Sequence, residues 1–264
     1  MLPELFRIGN FAIHSYGFML ALAILISAIA LYREAPRESL NPDYVLEAVI
    51  ASSLVGLLGS RLFYVAQNWS YYSVRPFSAF FTQFEGLSFY GALICGPLAL
   101  YGWSRWRKIS FLKIIDLLAP YLALGYAFGR IGCFLNGCCY GKESDLPWAL
   151  PVHMADEVLR HPVQLYAAAG GIALFLVLKW LRPRRPFVGF ISAALFGLYG
   201  LLRFTIEFFR HGELLWLNLT LAQWFSLGMI ALAAGFVAAY YLMLPGKAKK
   251  DKKSSKKRKK KARH

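Results

Sequence analysis

"FLKIIDLLAPYLALGYAFGRIGCFLNGCCYG", residues 111–141, begins as an apolar run and ends on four glycines, three cysteines, an arginine and an asparagine. Its first part, 111–128, carries only Lys113 and Asp116 as charges. A helix rises 1.5 Å per residue, so roughly 20 such residues cross the hydrocarbon of a bilayer. Lipid offers the backbone no hydrogen-bond partners, which leaves helices and closed barrels as the elements that can cross it. The run therefore reads as a transmembrane helix, and it has counterparts along the chain. Hydrophobic residues make up 58% of the 264, in blocks at about 14–32, 44–66, 86–103, 111–128, 163–181, 187–205 and 220–244. The expected fold class is an all-α integral membrane protein of seven transmembrane helices.

Positive residues in short loops set orientation. Arg33 and Arg37, then "RWRK" (105–108), then "RPRR" (182–185), then a lysine-rich tail occupy alternate loops. These loops are expected in the cytoplasm, with the N-terminus periplasmic and the C-terminus cytoplasmic. "MLPELFRIGN" lacks the basic segment of a signal peptide and no A-x-A-like site follows, so the first apolar run is expected to be retained. Residues 1–244 form the membrane domain, and its longest outward loop is expected at 129–162.

The formal charge of +16 is concentrated at one end. "KAKKDKKSSKKRKKKAR" (247–263) holds twelve Lys or Arg and one Asp. Residues 245–264 are expected to be a disordered, polybasic cytoplasmic tail drawn to anionic membrane lipid. No nucleic-acid partner is expected.

Four arginines break the pattern: Arg61, Arg130, Arg203 and Arg210. A charge inside a span costs at least about 2.5 kcal/mol unless it is paired, snorkels or lines a wet cavity. Snorkelling suits Arg210, suits Arg130 in part and suits Arg61 badly. Together they suggest a pocket for an anion, most simply a phosphate, which the guanidinium fork matches. In "LYGLLRFTIEFFR" (198–210), Tyr199, Arg203, Glu207 and Arg210 are spaced by four, four and three and share a helix face. They form either a structural ion-pair ladder or a binding site built from one.

The end of the opening stretch, "GRIGCFLNGCCYG" (129–141), favours turns and close backbone approach. Its C-x4-C-C spacing is not that of a common zinc site, so no metal is expected. The remaining readings are packed free thiols or a disulfide from Cys133 to Cys138 or Cys139. Cys95 reads as an apolar packing residue. His14, His153, His161 and His211 all fall on the expected outer side. His161 reads either as a cap on the span that follows or as a functional group, and His14 likewise; His153 and His211 read as solvated loop residues.

Several blocks, in order, resemble the prolipoprotein diacylglyceryl transferases. They are "HSYGFM" (14–19), "GSRLFYV" (59–65), "GLSFYGAL" (86–93), "GRIGCFLNGCCYG", "HPVQLYAA" (161–168), "LYGLLRFTIEFFR" and "TLAQWFSLGMI" (220–230). The resemblance runs from about residue 10 to 244. It implies transfer of a diacylglyceryl group from phosphatidylglycerol to the lipobox cysteine of a prolipoprotein. A thioether would form and glycerol phosphate would leave, with no cofactor. It implies a bacterial inner-membrane enzyme with its active site on the periplasmic side. The functional positions would be Tyr16, Arg130, Tyr199, Arg203, Glu207 and Arg210. Gly132, Gly137 and Asn136 would shape the pocket, and His14, Arg61, His161 and Gln164 would line it.

The chain departs from the family pattern where it has Tyr90 for a histidine proposed as general base, Cys133 for an asparagine, Cys138 for an acidic residue and Ala167 for a glutamate. Tyr90 keeps a catalytic place by position. With a reference pKa of about 10, a phenol is a weak base at neutral pH. His14, His161 or the arginine field alone are the alternatives for making the thiolate. Rival readings are a lipid-binding or transport protein using the arginine pocket, a thiol oxidoreductase using Cys133 and Cys138, and a family member of altered activity.

Overall fold

A computed structural model describes residues 2–8, 11–74, 86–151, 158–210 and 213–261; for residues 8, 11 and 244–261 the backbone alone is described. His153, His211, His264 and much of the loop at 67–85 lie outside the described residues.

The long elements are helical, as the apolar blocks predict. They are α1 (Ser15–Glu34), α2 (Pro42–Gln67), α3 (Phe89–Trp106), α4 (Phe111–Leu135), α5 (Val163–Leu181), α6 (Phe190–Glu207) and α7 (Leu221–Lys261). Two small antiparallel pairs add to them. β1 (Glu4–Ile8) pairs with β2 (Phe11–His14), and β3 (Leu150–Pro151) with β4 (Leu159–Arg160). The sequence reading expected helices alone; these short pairs sit in the segments before α1 and between α4 and α5.

Six helices among the described residues are long and apolar enough to cross a membrane. Phe89–Trp106, where a seventh span was expected, is not among them. Its 18 residues include Tyr90, Tyr101, Trp103, Arg105 and Trp106, which dilute its apolar character. The apolar part of α7 ends at Met243. Its helical assignment continues to Lys261, where the sequence reading expected a disordered tail.

The chain divides into two compact units: residues 1–23 with 119–264, and residues 24–118. In the second unit α2 begins with Asn41 accepting a hydrogen bond from the Asp43 amide at 2.8 Å and with Pro42 in the first turn, a strong start signal. α2 and α3 meet through small residues. A Cβ on Gly59 would stand 2.4 Å from Cys95 Cβ, and one on Gly91 would stand 2.2 Å from the Gly59 carbonyl oxygen. Apolar side chains gain little by leaving lipid for one another, so such backbone contact is how membrane helices associate. Ser60 Oγ donates to the Ser88 carbonyl at 2.7 Å, and the Ser88 amide returns a bond to the Ser60 carbonyl at 3.0 Å.

In the first unit, Ala119, Ala123, Leu174, Leu178 and Ile191 form one cluster. Val163, Ala167 and Ile206, with Tyr126, Tyr166 and Leu202 against them, form another. Both units bury small and polar residues and expose leucines. Leu58, Leu98, Leu122, Leu176 and Leu232 are all more than half exposed, whereas Ser104 and Ser226 are buried. Exposed apolar area on that scale needs a nonaqueous neighbour, and lipid supplies it.

Candidate active site

The first unit brings together most of the residues singled out in the sequence. Arg130 lies one turn from the end of α4, half-buried, with its guanidinium 4.9 Å from the centre of the Tyr126 ring. Tyr126 in turn meets Tyr199 of α6 edge-on, with ring centres 5.1 Å apart. Tyr199 lies within the field of both Arg130 and Arg203. Arg130 thus meets the first phenol of the pair, and Arg203 follows the second by one turn of α6. Fixed cations at an apolar boundary are suited to holding an anion. Tyr126 was not anticipated. Its signal was its place four residues before Arg130, on the same face of α4. Its hydroxyl oxygen is buried beside the Arg130 guanidinium.

Of the predicted ladder the Arg203–Glu207 rung is present, whereas α6 ends at Glu207 and Arg210 lies in the turn beyond it, off the helix face. Arg203 Nη1 donates to Glu207 Oε2. Glu207 is only 7% exposed, so this is a buried pair, whose rupture is costly. Glu207 Oε1 accepts a second bond from the Thr220 hydroxyl. Thr220 also escaped the sequence reading, although "TLAQ" carries the helix-start pattern of Thr followed three residues later by Gln.

The glycine-rich stretch ends α4 in a recognisable cap. The Cys138 amide donates to the Cys133 carbonyl at 3.1 Å and the Gly137 amide to the Phe134 carbonyl at 3.1 Å. Gly137 has φ +70°. That pair of bonds around a left-handed residue is the Schellman arrangement, and it favours glycine there. Gly132 makes room for Tyr16 of α1: a Cβ at Gly132 would lie 3.1 Å from Tyr16 Cδ2. Tyr16 lies in the fields of Arg130 and of Cys133, Cys138 and Cys139. Asn136 is exposed and hydrogen-bonds the Cys138 thiol. All four cysteines are free. Burial pushes the Cys138 thiol up. The Cys133 thiol, by hydrogen bonding, brings Cys139 down to about 5, with Arg210 and Arg130 assisting through their charges.

Gln164 and His161 act on the loop itself. Gln164 is buried, and its Nε2 donates to the Cys138 carbonyl at 2.6 Å. His161 exchanges backbone bonds with Gly141 and Lys142, both at 3.0 Å, and the Lys142 amide donates to the Phe209 carbonyl at 2.8 Å. A Cβ on Gly141 would stand 2.5 Å from that Phe209 oxygen, so only glycine fits. The Tyr166 hydroxyl accepts from Trp148 Nε1 at 2.7 Å and stands 3.3 Å from His161 Nδ1. The His161 ring also packs on Phe209, with centres 5.2 Å apart. His14 is exposed at the end of β2, opposite Glu4.

Arg61 and Tyr90 belong to the other unit. Arg61 Nη1 donates to the Gly86 carbonyl at 3.1 Å, and its guanidinium lies 5.8 Å and 5.6 Å from the ring centres of Tyr64 and Tyr72. It ties α2 to the chain entering α3. Tyr90 is 62% exposed on the first turn of α3. A cavity of about 430 Å³ in this unit, lined by Ile26, Ile29, Ala30, Arg33, Glu34 and Arg37, includes none of the expected site residues.

Comparison with known proteins follows the same outline. A sequence profile of the prolipoprotein diacylglyceryl transferases matches residues 3–239. The chain is 35% identical to the phosphatidylglycerol–prolipoprotein diacylglyceryl transferase of Polynucleobacter necessarius, over 94% of this chain and 96% of that protein. It is 38% identical to the one from Polynucleobacter asymbioticus, over 87% and 92%. It is 34% identical to the one from Clostridioides difficile, over 90% and 92%.

Proposed function

The chain belongs to the prolipoprotein diacylglyceryl transferase family, and we propose that it is an enzyme that moves the diacylglyceryl group of phosphatidylglycerol onto the lipobox cysteine of prolipoproteins. The observation that carries the chemistry is the run Arg130–Tyr126–Tyr199 from α4 to α6, with Arg203 one turn beyond Tyr199 on α6.

The phosphodiester of the donor binds between these guanidiniums. The substrate thiolate attacks the glyceryl carbon, a C–S bond forms, and the C–O bond to phosphate breaks. The thiol's proton passes to solvent or a neighbouring base. Phosphate carries about one charge as a diester and approaches two as the departing glycerol phosphate. Arg130 and Arg203 stand where that extra charge develops, which is where fixed positive groups accelerate a reaction most. Thiolate, not thiol, is the nucleophile, and the same positive field favours it. Tyr199 and Tyr126 offer phenol donors to the phosphate. Glu207 holds Arg203 in place. Tyr16, Gly132, Asn136 and Gly137 shape the wall beside them, Gln164 and His161 hold that wall's loop, and Arg210 adds charge at its edge. His14 is the remaining expected residue of this unit; Arg61 and Tyr90 stand in the other unit, where the Tyr90 phenol is a hydrogen-bond donor rather than a base.

The seven-span reading counts Phe89–Trp106 as a span. Its terminal Trp103, Arg105 and Trp106 suit an interface. An odd number of spans puts the termini on opposite sides, and the basic alternate loops favour an outer N-terminus with the polybasic tail on the cytoplasmic leaflet, near anionic lipid. The site accordingly opens to the periplasmic side of the bacterial inner membrane.

The test uses purified full-length protein, phosphatidylglycerol and a lipobox peptide. The peptide should gain the mass of one diacylglyceryl group as glycerol phosphate is released in equal amount. A peptide with serine for the cysteine should gain nothing. Release of glycerol phosphate without peptide modification would replace transfer by hydrolysis, and modification of the serine peptide would contradict the thiol mechanism.

A further inference from the structure

The three cysteines of the signature stretch are not accounted for by the proposed reaction. Their Sγ atoms all lie within 4.8 Å of one another, although their C-x4-C-C spacing gave no metal signal. The cap explains how they meet. In a Schellman motif the residue after the left-handed position packs against the residue five before it. Here those two are Cys138 and Cys133, and the Cys138 thiol reaches the Cys133 carbonyl at 3.6 Å. Cys139 then takes φ +66°, a left-handed conformation uncommon for a side-chain-bearing residue. That second turn brings the third thiol back to the first two. Local backbone strain of this kind gathers at functional sites.

We propose that Cys133, Cys138 and Cys139 form a three-thiolate site for a soft, thiophilic cation, of which the cuprous ion is the type. Metal–sulfur bonds of about 2.3 Å in a flat trigonal array put the sulfurs ~4.0 Å apart. The sulfurs therefore need to close by less than ~1 Å. Among the described residues no fourth histidine, cysteine or carboxylate joins the group. Three sulfurs without a fourth ligand favour a cuprous ion over a structural zinc, which asks for four. Cys139 is exposed and gives the ion a way in, while Cys133 and Cys138 are half-buried. Arg130 and Arg210 stand close enough to act on the cluster, and their charges offset the excess negative charge of three thiolates around one monovalent ion. Binding releases to solvent the protons that the three thiols carry.

The test is a competition titration of the full-length protein in detergent, reduced with a phosphine under exclusion of air. Cuprous ion is supplied as its complex with a coloured chelator. One ion per chain should pass to the protein. All three thiols should then resist alkylation when peptides are read by mass. Cys133→Ser, Cys138→Ser and Cys139→Ser should each weaken capture at least tenfold, with unchanged thermal unfolding as the control for folding. Cys95→Ser should bind as the parent does. Capture that persists in the triple serine variant would overturn the proposal. So would reduced, folded protein that leaves the chelator complex intact. Recovery of the protein with a Cys133–Cys138 or Cys133–Cys139 disulfide that the phosphine cannot open would overturn it too.

Discussion

The Thr220 hydroxyl donates to Glu207 Oε1 at 3.2 Å. Thr220 Oγ1 in turn accepts the Gln223 amide at 3.3 Å, and Gln223 Oε1 accepts the Thr220 amide at 2.9 Å. This is a capping box at the start of α7. Because the oxygen already accepts from the helix, its proton is left for the carboxylate. One residue thus starts a helix and orients the partner of Arg203, linking local structure to the anion site.

Thr220→Val keeps the shape and removes both bonds. Loss of the cap should cost about 1 kcal/mol, and transfer should fall roughly tenfold as the Arg203–Glu207 pair loosens. Thr220→Ser should restore both. Melting in detergent and kcat/KM on a lipobox peptide would check this. Wild-type values for Thr220→Val in both would leave the contact without a role.

Glu207→Leu should prevent stable folding, since it strands the Arg203 charge at a cost of about 3–5 kcal/mol. Replacing both partners by leucine should recover a folded protein, because buried pairs exchange well for apolar residues. That double variant should still fail to transfer. Its recovery of activity would show that the pair serves the fold alone.

The Tyr126 hydroxyl is buried beside the Arg130 guanidinium. Tyr126→Phe keeps the ring and removes that oxygen. Thermal stability should change by less than ~1 kcal/mol, while transfer falls about tenfold as Arg130 loses a positioning contact. A drop in stability with normal kcat/KM would assign the hydroxyl to packing instead.

Cys139 should behave as a thiolate at neutral pH. The Cys133 hydrogen bond, aided by Cys138, Arg210 and Arg130, brings it to about 5, below the ordinary thiol value of about 8.5. Its alkylation by iodoacetamide, followed by peptide mass, should stay on a plateau near pH 7 and fall as pH drops through 5. Cys133→Ala should move that midpoint up. The depressed value also favours the folded state. That contribution is complete above about pH 8.5, declines as pH falls, and is gone below 5. A Cys139 midpoint at the ordinary thiol value would contradict the thiol cluster.

Much of this was legible in the sequence. Apolar blocks gave the helices, because only internally bonded elements survive in lipid. The four-residue spacing from Tyr199 to Glu207 gave the Arg203–Glu207 pair. The structure added what periodicity cannot carry. Arg130 and Tyr199 are 69 positions apart, and only tertiary packing joins them through Tyr126. The thiol cluster depends on two left-handed residues, one a cysteine, that no propensity predicts. Gln164 and His161 had the chemistry of site residues, yet their polar atoms hold the loop through Cys138 and Tyr166. Phe89–Trp106 shows the limit of hydropathy, since its aromatic and arginine residues lower the apolar signal of a full-length helix.

The most direct measurement of the central claim is diacylglyceryl transfer by the purified protein beside its Arg130→Ala variant, with both shown to be folded. The account predicts a lipid-modified peptide from the parent, and transfer reduced at least a hundredfold in the variant, the scale of losing a fixed charge from a transition state. Equal transfer by the two proteins, or none from the folded parent with phosphatidylglycerol, would contradict it.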